Sequence, residues 1–186
     1  AALRREVEAY YAEKDVAYWA RRFTEAASGG PPLKVMGWTT RFSTVLRYTM
    51  EELGHAVRAA GHEFVLRLAQ DAHSLGRFAM KELLEVKPDL VVQISRMRYE
   101  NPYLPASVPF LCWDQDNLIG MRTPEAKASL NALTYVAGVG ALGGFLHRGW
   151  PRDNCIFARL AGASHRYDLT PADGSLRARH AGATAS

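Results

Sequence analysis

The segment Leu90–Ser95, with the sequence LVVQIS, is a short and almost uninterrupted apolar run. A strand with one solvated face would show a polar residue at every second position, and this segment does not. It is therefore predicted to be a strand that is covered on both faces, as in a parallel sheet. A helix predicted just before it closes at Lys87–Asp89, where a proline disfavours helical backbone in the residue that precedes it.

The same alternation of strands and helices extends in both directions along the chain. Strands are predicted at residues 33–38, 63–68, 90–95, 108–113, 133–137 and 154–157, and helices at 44–60, 74–86 and 124–132. Strands that alternate with helices of about a dozen residues are typical of βαβ units. We therefore predict an α/β fold with a Rossmann-like, doubly wound, mainly parallel sheet in three αβα layers.

An N-terminal helical extension is predicted over residues 2–27, where apolar side chains follow a helical stripe and Ser28–Pro32 then ends the helix. This helix is expected either to pack on the flank of the domain or to bind a partner. We divide the chain into an N-terminal helix (1–28), a linker (29–32), a Rossmann-like lobe (33–168) and a last segment (169–186). The last segment is interpreted as an irregular tail or the truncated start of a second lobe, so that the chain is a fragment of a longer protein.

Composition narrows the class of protein. The net charge is only +4, and no Lys/Arg cluster with interleaved aromatic residues is present, so nucleic-acid binding is not predicted. No run of about 18 apolar residues exists, which excludes a predicted membrane span. Because no basic and apolar leader precedes the first helix, we predict a cytoplasmic protein. Cys112 and Cys155 lie in apolar runs and are interpreted as reduced core residues, since their spacing suits no zinc site.

In doubly wound sheets, ligands bind beyond the carboxyl ends of the strands, so the residues that follow each predicted strand are the candidates for a site. The first strand is followed by the hydroxyl-rich segment TTRFST, with Thr39, Thr40, Arg41, Ser43 and Thr44 as candidate ligand-binding residues. Hydroxyls at a helix start either cap its free amides or help those amides to bind an anion. A P-loop is excluded because no glycine-rich segment with Gly-Lys-Ser/Thr is present.

The third strand is followed by RMRYENP, in which Arg96 is the better candidate for a ligand contact and Glu100 is expected in a solvated loop. The fourth strand ends in FLCWDQDN. Asp114 and Asp116 could share a divalent cation, act as turn and capping residues, or contact a hydroxyl-rich ligand such as a sugar.

The fifth strand is followed by GVGALG, a literal Gly-x-Gly-x-x-Gly at residues 138–143. The dinucleotide motif belongs after the first strand and before a long helix, with an acidic residue about 20 positions further on. Here the following helix is short and no acidic residue is suitably placed. NAD binding is therefore not predicted.

Several motifs together resemble the N-terminal lobe of GT-B-fold glycosyltransferases, and more narrowly the bacterial CgeB-type spore-maturation glycosyltransferase-like family. They are TTRFST, the segment EELGHAVRAAGHEF at 51–64, KPDLVV at 87–92, VPFLCWDQD at 108–116 and GWP at 149–151. The resemblance covers about residues 33–168 and implies a two-lobed enzyme of which this chain is the acceptor-side lobe.

The resemblance implies transfer of a sugar from a nucleotide-sugar donor to an acceptor, with no bound metal and no further cofactor. It places Thr40, Arg41, Trp113, Asp114, Gln115 and Asp116 at the cleft between the lobes. We take Asp114 and Asp116 as candidate catalytic carboxylates. A second lobe or partner subunit would have to supply most donor contacts, so the lobe alone is expected to be inactive.

Two other functions stay open. One is a non-catalytic Rossmann-like or flavodoxin-like module that binds a small molecule or a protein. The other is a metal-dependent transferase of the GT-A type, built around the Asp-Gln-Asp sequence at 114–116.

Overall fold

A computed structural model describes residues 2–69, 75–115, 123–138 and 144–157. The helices are α1 (Ala2–Tyr11), α2 (Val16–Ala27), α3 (Thr44–Ala59), α4 (Leu75–Val86) and α5 (Pro124–Ala128). The strands are β1 (Lys34–Thr40), β2 (Glu63–Ala69), β3 (Leu90–Ile94), β4 (Phe110–Asp114), β5 (Thr134–Gly138) and β6 (Cys155–Phe157).

The strands form one six-stranded sheet in the order β2-β1-β3-β4-β5-β6, and every neighbouring pair is parallel. Helices lie on both sides of this sheet, which confirms the predicted Rossmann-like three-layer α/β fold. The first five residues of LVVQIS form β3 at the centre, with Val91, Val92, Gln93 and Ile94 all buried. The prediction of a strand covered on both faces, made from an unbroken apolar run, is therefore confirmed for β3.

Side chains that alternate along the strands build two separate cores. On the α3 face, Val35, Val92 and Ile94 pack against Met50 of α3. On the α4 face, Val91 and Phe110 pack in a larger cluster with residues of α1, α2, α4 and α5. Cys112 and Cys155 both lie in that cluster as buried thiols that form no disulfide, which confirms the prediction of reduced core cysteines.

The prediction of one helix over residues 2–27 is wrong, because α1 and α2 are separate helices. The chain turns between them, and the side chain of Asp15 accepts a hydrogen bond from the backbone N–H of Tyr18 at 2.7 Å as the N-cap of α2. Both helices pack on the flank of the domain: the hydroxyl of Tyr11 donates to the carbonyl of Pro88, and the indole of Trp19 donates to the carbonyl of Ser107. Flank packing, one of the two expected roles, is thus what the described residues show.

The helix predicted over 124–132 is also shorter than expected, since α5 ends at Ala128. Asn131 then makes a turn of its own, because its side-chain oxygen accepts hydrogen bonds from the backbone N–H of Leu133 and the hydroxyl of Thr134. An asparagine that bonds its own backbone two residues on competes with helix continuation.

Candidate functional site

The sheet has a topological switch point between β1 and β3. From β1 the chain crosses to β2 on one side, and from β2 it returns past β1 to β3 on the other side. The connections at the carboxyl ends of β1 and β3 therefore lead in opposite directions and leave a crevice between them. In doubly wound folds this crevice is where ligands bind.

A pocket of about 200 Å³ occupies this crevice, and we call it the switch-point pocket. Its described lining combines a polar set and an apolar set. The polar residues are Thr39, Thr40, Gln93 and Arg96, and the apolar residues are Trp38, Phe42, Leu46, Ala69 and Ile94.

Three of the residues predicted from the sequence thus meet in one pocket, although 57 positions separate Thr39 from Arg96. Thr39 is buried in β1, whereas Arg96 is about half exposed just beyond β3. Ser95, the residue between β3 and Arg96, has a positive φ of 50°. This backbone conformation is rare outside glycine, and it turns the chain where Arg96 enters the pocket.

Two residues of the segment TTRFST, Ser43 and Thr40, make local hydrogen bonds. The side chain of Ser43 caps α3 by accepting from the backbone N–H of Leu46 at 3.3 Å, which confirms capping for this residue. Thr40 accepts from the backbone N–H of Phe42 at 3.2 Å and still contributes to the pocket lining. Arg41 and Thr44 are exposed, and the guanidinium of Arg41 lies over the ring of Phe42 at 4.9 Å.

Sequence reasoning did not select Gln93, which is 5% exposed and lines the pocket from β3. Its side-chain oxygen accepts a hydrogen bond from Nδ2 of Asn101 at 2.7 Å. The same Nδ2 donates to the carbonyl of Met97 at 3.1 Å, and the hydroxyl of Tyr103 donates to the side-chain oxygen of Asn101 at 3.1 Å. A single amide in an otherwise apolar strand was the available signal, since a buried polar group needs partners.

Arg96 keeps much of its donor capacity. Its Nε lies 3.9 Å from a carboxylate oxygen of Glu100, which is a long ion pair at a partly exposed position. The other carboxylate oxygen of Glu100 accepts from the backbone N–H of Met97 at 2.6 Å. Glu100 is thus tied to the loop, and the prediction of a simply solvated residue misses this contact.

The end of β4 lies beside the end of β3 but outside the described lining of the pocket. Asp114 is 4% exposed and Trp113 is 6% exposed. The indole Nε1 of Trp113 is buried and has no hydrogen-bond partner within the described residues. The backbone N–H of Gln115 lies 3.5 Å from the hydroxyl oxygen of Ser95, which joins the two strand ends. Asp116 lies outside the described residues.

No group of three or more histidine, cysteine or acidic side chains that could hold a metal ion occurs within residues 2–69, 75–115, 123–138 and 144–157. Asp116, one of the two carboxylates of the Asp-Gln-Asp sequence, lies outside these residues. Of the Gly-x-Gly-x-x-Gly stretch, only Gly138 lies in the described part. A Cβ there would approach the backbone oxygen of Asp114 to 2.5 Å, so this glycine allows close strand packing.

The fold and the pocket define this chain as a Rossmann-like α/β domain with a polar crevice at its switch point. Comparison with protein-family models, with curated proteins and with solved structures gave no match. In the described part of the chain, no helix is both long enough and apolar enough to cross a membrane.

Proposed function

We propose that this chain is the acceptor-side lobe of a GT-B-like glycosyltransferase. The observation that carries the proposal is the switch-point pocket, where threonine hydroxyls, a carboxamide and a guanidinium meet in one concave site. A few converging polar groups in an otherwise apolar cleft are typical of small-molecule sites. In this proposal the pocket holds part of the acceptor, and a second lobe or a partner subunit binds the nucleotide-sugar donor.

Sugar transfer requires a group that takes the proton of the acceptor hydroxyl and groups that stabilise the departing diphosphate. Asp114 ends the strand next to β3, and Asp116 follows it by two residues. In the proposed mechanism one of these carboxylates accepts the proton or orients the hydroxyl. Cationic side chains or helix dipoles on the donor side stabilise the diphosphate, and neither a metal nor a further cofactor is required.

The test is transfer of label from nucleotide sugars by the full-length natural protein, compared with its Asp114→Asn and Asp116→Asn variants. Loss of a general base lowers turnover by about 10²- to 10⁴-fold. We expect a loss of that size in one of the two variants. Asp153→Asn is the control, because Asp153 is exposed in the turn before β6 and lies outside the pocket lining. Wild-type turnover in both test variants would remove these carboxylates from the mechanism.

One observation favours a second function, a non-catalytic binding module. Asp114 is almost fully buried and does not belong to the described pocket lining, whereas a catalytic base must reach its substrate. A binding module would retain ligand affinity in the pocket and show no transfer with any donor. The transfer assay and a binding titration on the same full-length protein separate the two functions.

A further inference from the structure

The hydrogen bonds around Gln93 determine which end of its amide faces the pocket. The carbonyl of Met97 can only accept, so the group of Asn101 that lies 3.1 Å from it must be the Nδ2 donor. The same Nδ2 lies 2.7 Å from Gln93, so the partner atom on Gln93 must be its oxygen. The hydroxyl of Tyr103, which donates to the remaining oxygen of Asn101, is consistent with this orientation. The Nε2 group of Gln93 therefore remains as a free donor.

This Nε2 group has no hydrogen-bond partner among the described residues, and Gln93 lines the switch-point pocket. It does not belong to the fully enclosed side-chain atoms that lack a partner, so it reaches the space of the pocket, where water or a ligand can accept from it. A buried donor without a partner costs free energy unless a ligand or water accepts from it. The Nε2 group is thus a donor available to a ligand in the pocket, held in place by the hydrogen bond of the Gln93 oxygen to Asn101.

Two other polar groups of the described lining can donate as well. Arg96 can only donate. Thr40 already accepts from the backbone N–H of Phe42, which leaves its hydroxyl hydrogen to donate. None of the described lining residues is acidic, and the first turn of α3 borders the pocket through Leu46. The positive end of the α3 dipole adds to the positive electrostatic potential in the pocket.

We propose that the switch-point pocket binds an oxyanion, the carboxylate or phosphate group of a small ligand, with Gln93 and Arg96 as its donors. The inference depends on the proposed function in one respect, namely that the switch-point pocket is the binding site of the acceptor. A volume of about 200 Å³ is below the range of about 300–1,000 Å³ that holds a drug-sized ligand, so the pocket accommodates one head group. The buried side chains of Trp38 and Ile94 form apolar walls of the pocket, which lower the local dielectric and strengthen the interaction with a charge.

The experiment is calorimetric titration of the full-length protein with inorganic phosphate, glucose 6-phosphate, glucuronate and glucose. We expect the anions to bind and glucose to bind at least about tenfold more weakly, because hydrogen bonds to a charged group are stronger than neutral ones. Comparing glucuronate with glucose 6-phosphate shows whether a carboxylate or a phosphate is preferred.

Two variants test the donors. Arg96→Gln is expected to weaken anion binding by about tenfold or more, since it removes the only cation of the described lining. Its matched control is Arg21→Gln, which removes the same charge from an exposed position on α2. Gln93→Met keeps a similar volume and removes the donor, with a similar expected loss. If that variant does not fold, as judged by circular dichroism, Arg96→Gln alone decides the question.

The inference is overturned if no anion binds, if glucose binds as tightly as glucuronate and glucose 6-phosphate, or if Arg96→Gln and Arg21→Gln behave alike. These outcomes differ from failure of the proposed function. Anion binding that depends on Arg96 in a protein without sugar transfer would retain the inference and reject the transferase. Sugar transfer with no preference for anionic acceptors would support the transferase and reject the inference of an oxyanion site.

Discussion

Arg98 illustrates how a single buried side chain holds the loop beside the site. It is 7% exposed and donates to the hydroxyl of Thr134 and to the carbonyls of Pro105, Val108 and Leu133. Burial lowers the pKa of Arg98 to about 10, so the side chain is still protonated at neutral pH. Its guanidinium serves to satisfy backbone carbonyls, whereas the neighbouring Arg96 reaches the pocket.

Replacing Arg98 with lysine should destabilise the protein. A lysine ammonium is a compact donor and cannot reach four acceptors with the fork geometry of a guanidinium. Carbonyls left without a partner in the interior cost about 1–3 kcal/mol each, so we expect a loss of about 2–4 kcal/mol in the free energy of unfolding. Urea denaturation measures it, and Arg148→Lys at an exposed position is the control. Ordinary surface substitutions change stability by up to about 0.5 kcal/mol. A loss below that value would contradict the role of Arg98 in holding the loop beside the site.

Tyr11 should make stability depend on pH in the alkaline range. Burial raises the pKa of its hydroxyl well above the ordinary value, and the charges of Tyr10 and Asp89 add to this shift. The unfolded chain therefore releases a proton at lower pH than the folded chain. The stabilisation from neutral Tyr11 is complete below the unfolded pKa of about 10 and declines as pH rises above it, by up to about 1.4 kcal/mol per pH unit.

The measurement is the free energy of unfolding from urea titrations between about pH 8 and pH 11, a range that spans the unfolded tyrosine pKa. Tyr11→Phe should lose about 1 kcal/mol at pH 8, through its hydrogen bond to the carbonyl of Pro88. Its stability should then fall less steeply above pH 10 than that of the wild type. Other groups with a raised pKa, such as Cys112 and Tyr103, contribute equally to both proteins. Parallel curves would contradict the assignment to Tyr11.

At the scale of elements, Phe64 of β2 joins α3 to the sheet. A Cβ on Gly54 of α3 would lie 2.6 Å from a ring atom of Phe64, and one on Gly37 of β1 would lie 2.7 Å from the sulfur of Met50 and also meet the Phe64 ring. The two glycines therefore leave room for one aromatic ring between helix and strand. Sequence reasoning placed α3, β1 and β2 correctly, but periodicity cannot show that two glycines 17 positions apart serve one side chain.

Gly54→Ala should destabilise the protein even though alanine favours helix. The gain in helix propensity is about 1 kcal/mol, whereas overpacking a dense core costs about 1–3 kcal/mol. We expect a net loss of about 1 kcal/mol in the free energy of unfolding, measured by urea denaturation. In the double variant Gly54→Ala with Phe64→Leu, the smaller side chain should relieve the clash, so the alanine should cost less there than in the wild type. A Gly54→Ala variant more stable than the wild type would show that the Phe64 ring can move to make room for the added methyl group at little energetic cost.

The elements also show which predictions a sequence can support. The strands were predicted because buried parallel strands are unbroken apolar runs, and LVVQIS is one of them. The break between α1 and α2 was missed because residues 12–15 contain neither glycine nor proline, although Asp15 is a recognisable N-cap. Gln93 was missed because its role depends on Asn101, eight residues away in a loop, and such a contact is tertiary. Thr39 and Arg96 were selected because ligands of doubly wound sheets bind beyond the carboxyl ends of the strands, and both residues follow a predicted strand.

For the whole molecule, the decisive feature is that α1 and α2 belong to the same core as the sheet. Val7, Tyr11 and Trp19 lie in the hydrophobic cluster of the α4 face, and Arg22 pairs with Asp89 at 3.0 Å between α4 and β3. The boundary drawn at residues 29–32 from the sequence therefore separates two parts that share one core. The two N-terminal helices therefore contribute to the same hydrophobic core as the sheet and do not form a separate extension.

Removing residues 1–28 should consequently prevent cooperative folding. The truncated chain would expose the α4 face and lose the contribution of Trp19. Loss of one buried tryptophan costs about 3–5 kcal/mol, a large part of the about 5–15 kcal/mol that stabilises a typical protein. We expect loss of the near-ultraviolet circular dichroism signal and of a single urea transition. Trp19→Phe in the intact chain is the milder comparison, because it keeps an aromatic ring, although a smaller one, and loses the hydrogen bond to Ser107. That variant should unfold cooperatively with a loss of about 1–3 kcal/mol. A truncated protein with the wild-type midpoint would mean that the sheet and its remaining helices form a complete core without α1 and α2.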